Sequence, residues 1–148
     1  MEKKLPNDFR EFLKLLHEHK VKYLLIGGYA VGYHGYPRAT NDIDIWIENS
    51  ADNSKRIIDA INDFGFIDSK ITPQLFQIKK NIIRMGRAPM RIEVILDIDG
   101  VEFDDCYKKK VTTTIDEIKV NIISLSDLKT NKRASGRHKD LADVDYLP

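Results

Sequence analysis

The chain has 148 residues, the usual size of one domain, and enough length to bury one sizeable core. Lys and Arg number 24 against 23 Asp and Glu, a formal charge of +1, which argues against a basic nucleic-acid coat protein and against an acidic tail protein. With 42% hydrophobic and 32% charged residues it reads as a folded domain, and its one cysteine, Cys106, excludes an internal disulfide framework and a Cys-pair zinc cluster.

The start, Met1-Glu2-Lys3-Lys4, lacks a secretory apolar region. No run approaches the ~20 apolar residues that span a bilayer. The expected address is the cytosol, with no membrane partner.

Phe9, Phe12, Leu13, Leu15 and Leu16 recur at helical spacing, so an amphipathic helix should start near Asn7 or Asp8, capped by one of them. Val21 to Ile26 reads as a buried strand that stops at Gly27-Gly28, and Tyr29 to Tyr33 opens a second helix. Ile43, Ile45 and Ile47 alternate with Asp42, Asp44, Trp46 and Glu48, the period of a strand. Ile57, Ile58, Ile61 and Phe64 return to helical spacing, with Gly65 as the C-cap.

Leu75 to Lys79 and Ile82-Ile83 are weaker strand candidates, and Arg91 to Ile98 is a stronger one. Val111 to Ile115 and Lys119 to Ile123 add edge strands. A helix capped by Ser124 or Ser126 follows, and a last one runs from about Lys139 to Tyr146. There is no linker, repeat or low-complexity tract. One α/β (α+β) domain over residues 1–148 is expected, a mixed sheet with flanking helices.

Asp42 and Asp44 stand at i and i+2, so on a strand both carboxylates share one side. Like charges so placed are either an ordinary solvated strand end or a site for a divalent cation, which takes oxygen ligands. Gly27-Gly28 permits a tight turn, and the helix start after it offers N–H groups to phosphate. Glu93, inside an apolar run, is a third acid that should be paired, exposed or metal-bound. Asp97 is its competitor. Lys129, Lys132, Arg133, Arg137 and Lys139 crowd into eleven positions. They make either a solvated helix end or a phosphate-facing patch.

Three segments together resemble the nucleotidyltransferase superfamily that includes DNA polymerase beta. They are Leu25-Ile26-Gly27-Gly28-Tyr29, Asn41-Asp42-Ile43-Asp44-Ile45 and Arg91-Ile92-Glu93-Val94. Ser124-Leu125-Ser126-Asp127-Leu128, Asn131 to Arg137 and Lys139-Asp140-Leu141-Ala142-Asp143 more closely resemble the small bacterial proteins of the AbiE-type toxin and uncharacterised nucleotidyltransferase group. The resemblance spans about Val21 to Leu147. It departs at Glu93, where the family often has Asp.

The resemblance implies a transfer of a nucleoside monophosphate from an NTP to a hydroxyl, with pyrophosphate released. Asp42, Asp44 and Glu93 would hold two Mg²⁺ ions and be the catalytic set. Gly27 and Gly28 would meet phosphates, with Lys132 first among the offsetting cations, then Arg133, Arg137 and Lys139, and Arg38 beside them. Asp140 would anchor Arg137 or Lys132. The acceptor is open among RNA, protein and small molecule, and toxin members imply an antitoxin partner. The alternative is a non-catalytic nucleotide-binding or protein-interaction module of the same fold, told apart by whether the three carboxylates converge. Tyr33, His34 and Tyr36 are read near the pocket mouth, His17, His19 and His138 at the surface, and Trp46 in packing.

Overall fold

The computed structural model describes residues 5–66, 68–87 and 90–148, so the Met1–Lys4 stretch lies outside the described residues. The apolar stripe of Phe9, Phe12, Leu13, Leu15 and Leu16 does form a helix, α1 (Asn7–Glu18), with all five buried. Its cap is not the expected one. Pro6 occupies the N-cap position and no side chain caps the helix.

β1 (Tyr23–Ile26) is buried along its whole length and runs directly into α2 (Gly27–Tyr33). β2 (Ile43–Ile47) follows, then α3 (Ala51–Phe64). Ser50 caps α3 by accepting from the Asn53 N–H at 3.1 Å, and Gly65 ends it with a φ of 92°, a value costly for a residue with a Cβ. The buried Asn53 amide accepts from the Lys22 N–H and donates to the Lys22 and Glu48 carbonyls, tying the start of α3 to the ends of β1 and β2.

β3 (Ile82–Arg87) and β4 (Met90–Ile95) pair antiparallel. α4 (Phe103–Lys108), β5 (Val111–Ile115), β6 (Ile118–Ile122), α5 (Leu125–Ser135) and α6 (His138–Tyr146) complete the order. Ser124, the first of the two expected caps, holds the start of α5.

Two expectations fail here. Leu75 to Lys79 is not a strand, because Pro73 opens a 3₁₀ turn over Pro73–Gln77 that buries Phe76. And α4 had no expected element; its six residues bury only Phe103 and Cys106, too few for a readable period.

The strands form one mixed sheet in the order β3-β4-β2-β1-β6-β5. β1 lies antiparallel to β2 and parallel to β6, and β2 lies parallel to β4. This order positions the candidate site. It sets β2, with its Asp-X-Asp, between β1, which feeds the glycine turn, and β4, which carries Glu93. α1 packs on α3 and β6, and α2 packs on β1 and β2. Trp46 is buried edge-on against Phe103, which stacks on Tyr107. Among the described residues no helix is long and apolar enough to cross a membrane.

Candidate active site

Register brings the first acids together. Asp44 of β2 stands opposite Ile26 of β1 on one side and Glu93 of β4 on the other. Adjacent strands lie about 4.8 Å apart, so the Asp44 and Glu93 side chains rise from neighbouring positions. The Asp44 carboxyl is pushed up to about 7, first by burial, then by the charge of Glu93 and a shared hydrogen bond with it, then by the charge of Asp42. The Lys132 charge works in the other direction.

The glycine turn is shaped around the same carboxylate. Gly27 has a φ of 68°, and a Cβ there would lie 2.1 Å from Asp44 Oδ2. A Cβ on Gly28 would lie 2.7 Å from Thr40 Oγ1. Thr40 in turn donates to the Asp42 carbonyl at 3.2 Å, holding the entry to β2. Gly27→Ala therefore meets two obstacles, the left-handed backbone and the carboxylate. It should cost at least ~1–2 kcal/mol in urea unfolding, through the backbone alone.

These groups line a cleft of about 640 Å³. It holds Gly27, Gly28, Arg38, Asp42, Asp44 and Glu93 from the expected set, together with Lys132, Arg137 and Lys139. Asp97, Asp99 and Asp140 line it too. Arg133 is not brought there; it is exposed on α5 and does not line the cleft. Nor do Tyr33, His34 and Tyr36 line it. His34 Nε2 bonds to the Ile123 carbonyl at 2.7 Å, and Tyr36 stacks on Tyr146. His17 is not a free surface residue either, since its Nε2 meets the Tyr23 hydroxyl at 2.7 Å.

The cations are less free than a phosphate patch requires. Lys132 Nζ lies 3.0 Å from both Asp140 Oδ1 and Asp143 Oδ2, with only 7% of its side chain exposed. Arg38 donates from Nε and Nη2 to the two Asp143 oxygens, each at 3.0 Å. Arg137 Nε bonds Asp140 Oδ2 at 2.9 Å but its side chain is largely exposed. Lys139 is exposed and has no ion-pair partner among the described residues. Arg137 and Lys139 are thus the more exposed cations of the cleft, while Arg38 keeps its Nη1 edge free of Asp143.

The counter-ions of the acids have no signature in the sequence. Arg84 Nε bonds Glu93 Oε1 at 3.1 Å across the β3–β4 hairpin, and Arg91 Nε lies 3.9 Å from Asp42 Oδ1. The first follows from the β3–β4 hairpin register and the second from the parallel pairing of β2 with β4, and neither is announced by a local motif.

Three carboxylates suit a hard divalent cation. Asp44 Oδ1 is buried with no hydrogen-bond partner, which is an oxygen in want of positive charge. The donors therefore fit such an ion in chemistry. They are not gathered into a finished cage, however, because among the described residues no three His, Cys, Asp or Glu side chains form one. Glu93 is engaged by Arg84, and Asp42 leans toward Arg91.

Comparison with known proteins agrees with this architecture. A Thermotoga maritima protein described as a nucleotidyltransferase superposes with a TM-score of 0.63, covering 93% of this chain and 88% of its own, at 18% identity. A lincosamide antibiotic adenylyltransferase, LnuA, solved with lincomycin bound, gives a TM-score of 0.60, covering 97% of this chain and 96% of its own, at 16% identity. At such identities the likeness is one of fold. No curated protein matches the chain. The sequence does match the description aminoglycoside-2''-adenylyltransferase over residues 8–147, nearly the whole chain, and so the protein belongs to that family, within the nucleotidyltransferase superfamily.

Proposed function

We propose that this protein transfers a nucleoside monophosphate from an NTP to a hydroxyl of a small, amine-bearing acceptor, with release of pyrophosphate. The observation that carries the reading is the grouping of Asp44, Glu93 and Asp42 against the Gly27 turn in one cleft. The acceptor oxygen forms a bond to the α-phosphorus, and the bond from that phosphorus to the bridging oxygen breaks. The electron pair leaves with pyrophosphate.

Asp42, Asp44 and Glu93 are the residues that would hold two Mg²⁺ ions. Bound there, the ions would supply the charge that stabilises the attacking and leaving oxygens. Gly27 and Gly28 let the backbone come close to phosphate, and Arg137 and Lys139 face the leaving group. Asp44 and Glu93 stand opposite one another in register, and the unprotonated carboxylate of that pair takes the proton the acceptor loses. Glu93, now bonded to Arg84, would exchange that bond for an ion held at the site.

The acceptor's class is supported by the far side of the cleft. Asp97 and Asp99 line it and also line an adjoining hollow of about 560 Å³, where Glu102, Asp105 and Asp127 join them against only Lys79 and Lys109. That surface suits ammonium groups and repels a polyanion. It agrees with the acceptor class in the family's name and disfavours the RNA acceptor of the AbiE-type toxin reading.

The test incubates the protein with each of the four NTPs, labelled at the α- or γ-phosphate, with Mg²⁺. The acceptors offered are an aminoglycoside panel, lincomycin and total RNA. An α-label on an amine-bearing small molecule supports the proposal. A γ-label on the acceptor means a kinase, an α-label on RNA means the toxin reading, and no label on any acceptor overturns transfer to these classes.

A further inference from the structure

Behind the cationic wall of the cleft lies a residue that does not itself line it. Asp143 of α6 has 3% of its side chain exposed. Its carboxylate takes two bonds from Arg38 and one contact from Lys132, all at 3.0 Å. Arg38 lies in the segment between α2 and β2, just ahead of Asp42, and Lys132 lies on α5. One carboxylate thus joins three parts of the chain, and two of its partners line the cleft.

We propose that Asp143 is a positioning residue, holding the Arg38 guanidinium as a phosphate-facing edge of the cleft, with the enclosed Lys132 ammonium as the counter-ion that keeps Asp143 in place. The proposal rests on the nucleotide reading above. Two features argue for it over a plain stability role. First, a buried ion cluster is a poor source of stability, since desolvation cancels most of the attraction. Second, the contact to Arg38 is two-pronged, which fixes the plane of the guanidinium as well as its place. Asp143 engages Nε and Nη2 and leaves the Nη1 edge uncommitted to it. Lys132 is held from two sides by Asp143 and Asp140, so its ammonium cannot swing with its long stem. The wall is set before any ligand arrives, and a preset wall spares the ordering cost of binding.

Asp143→Asn keeps the shape of the side chain and removes its charge. Isothermal titration with Mg²⁺ and each NTP reads the outcome, on the full chain and beside a thermal melt. The expected result is a dissociation constant roughly tenfold or more weaker, the loss of one charge-assisted contact set, in protein that still melts cooperatively. A purely structural role would lower the fraction of binding sites and leave the constant unchanged, which would overturn the proposal. So would equal binding by variant and parent. Where Asp143→Asn does not fold, Arg38→Lys tests the same point, because it keeps the charge and loses the fork. Unchanged nucleotide affinity in Arg38→Lys would overturn the positioning role. If the parent binds none of the four nucleotides, the nucleotide reading itself fails and this inference falls with it.

Discussion

Asp44→Asn is expected to abolish nucleotidyl transfer and, at the same time, to make the metal-free protein more stable. The two effects have one cause. The Asp44 carboxyl is raised from 3.8 to about 7 by burial and by Glu93 and Asp42. A raised acid binds its proton more tightly in the folded state than in the unfolded one. Folding is therefore unpenalised below pH 3.8, loses stability as pH rises from there, and carries the full penalty above about 7. At one pH unit per ~1.4 kcal/mol, and with the coupling to Glu93 shared, the penalty is about 2–4 kcal/mol.

An amide at this position removes that penalty. The variant should melt about 5–10 °C above the parent at pH 8 in a chelator, and the difference should vanish near pH 4. Mg²⁺ should stabilise the parent more than the variant, which keeps only Asp42 and Glu93 of the three carboxylates. Calorimetry at the two pH values, with and without Mg²⁺, checks all of this. A variant less stable than the parent at pH 8 would mean that Asp44 is not strained in the folded state.

Lys132 gives the second large effect, and of the opposite sign. Its ammonium is paired with two carboxylates whose side chains are 7% and 3% exposed. Lys132→Met leaves both acids buried without their shared cation. Breaking a buried pair in this way costs about 3–5 kcal/mol, so urea unfolding should move to markedly lower concentration. Burial alone would push the Asp140 carboxyl up, but bonds from Ser135 and Lys132 and the charges of Lys132 and Arg137 outweigh it and hold it below the usual range. Stability from Asp140 is thus present above pH 3.8 and lost as pH falls through its lowered value. Lys132→Met should lose part of that acid-side dependence. A variant that folds as well as the parent and only binds NTP more weakly would restore Lys132 to the free phosphate role that its place in the basic run suggests.

Lys132 lies at the edge of what is legible in the sequence. The glycine turn, the Asp-X-Asp strand and Glu93 were legible because each sits in a local pattern. A strand period places Asp42 and Asp44 on one side, and a Gly-Gly at a strand end announces a turn. The basic run from Lys129 to Lys139 was legible as charge but not as structure. Its partners are Asp140 and Asp143, and Asp143 is shared with Arg38, which stands 105 positions away from it in sequence. Only folding shows that Lys132 is tied and that Arg137 and Lys139 are not similarly enclosed.

The counter-ions of the acids were hidden for a related reason. Arg84 reaches Glu93 through the β3–β4 register, and nothing in the sequence of Ile82 to Ile95 fixes that pairing. The β5–β6 hairpin carries a similar lesson. Asp116 and Glu117 both take positive φ, 50° and 67°, a pairing of angles that usually calls for Asn-Gly. Asp116 is held there by contacts with α1: its carbonyl accepts from Arg10 Nε at 3.1 Å. Tertiary contact thus supplies at Asp116 what local sequence does not.

In the proposed function, Asp42, Asp44 and Glu93 gather divalent cations against the phosphates of a nucleotide beside the Gly27 turn. The most direct test is a crystal of the protein with Mn²⁺ and a non-hydrolysable NTP analogue, read by anomalous scattering. The account predicts manganese peaks within ligating distance of Asp42 and Asp44, an α-phosphate beside them, and Glu93 released from Arg84. A nucleotide seated away from Gly27, or manganese absent from the three carboxylates while the nucleotide is bound, would contradict it.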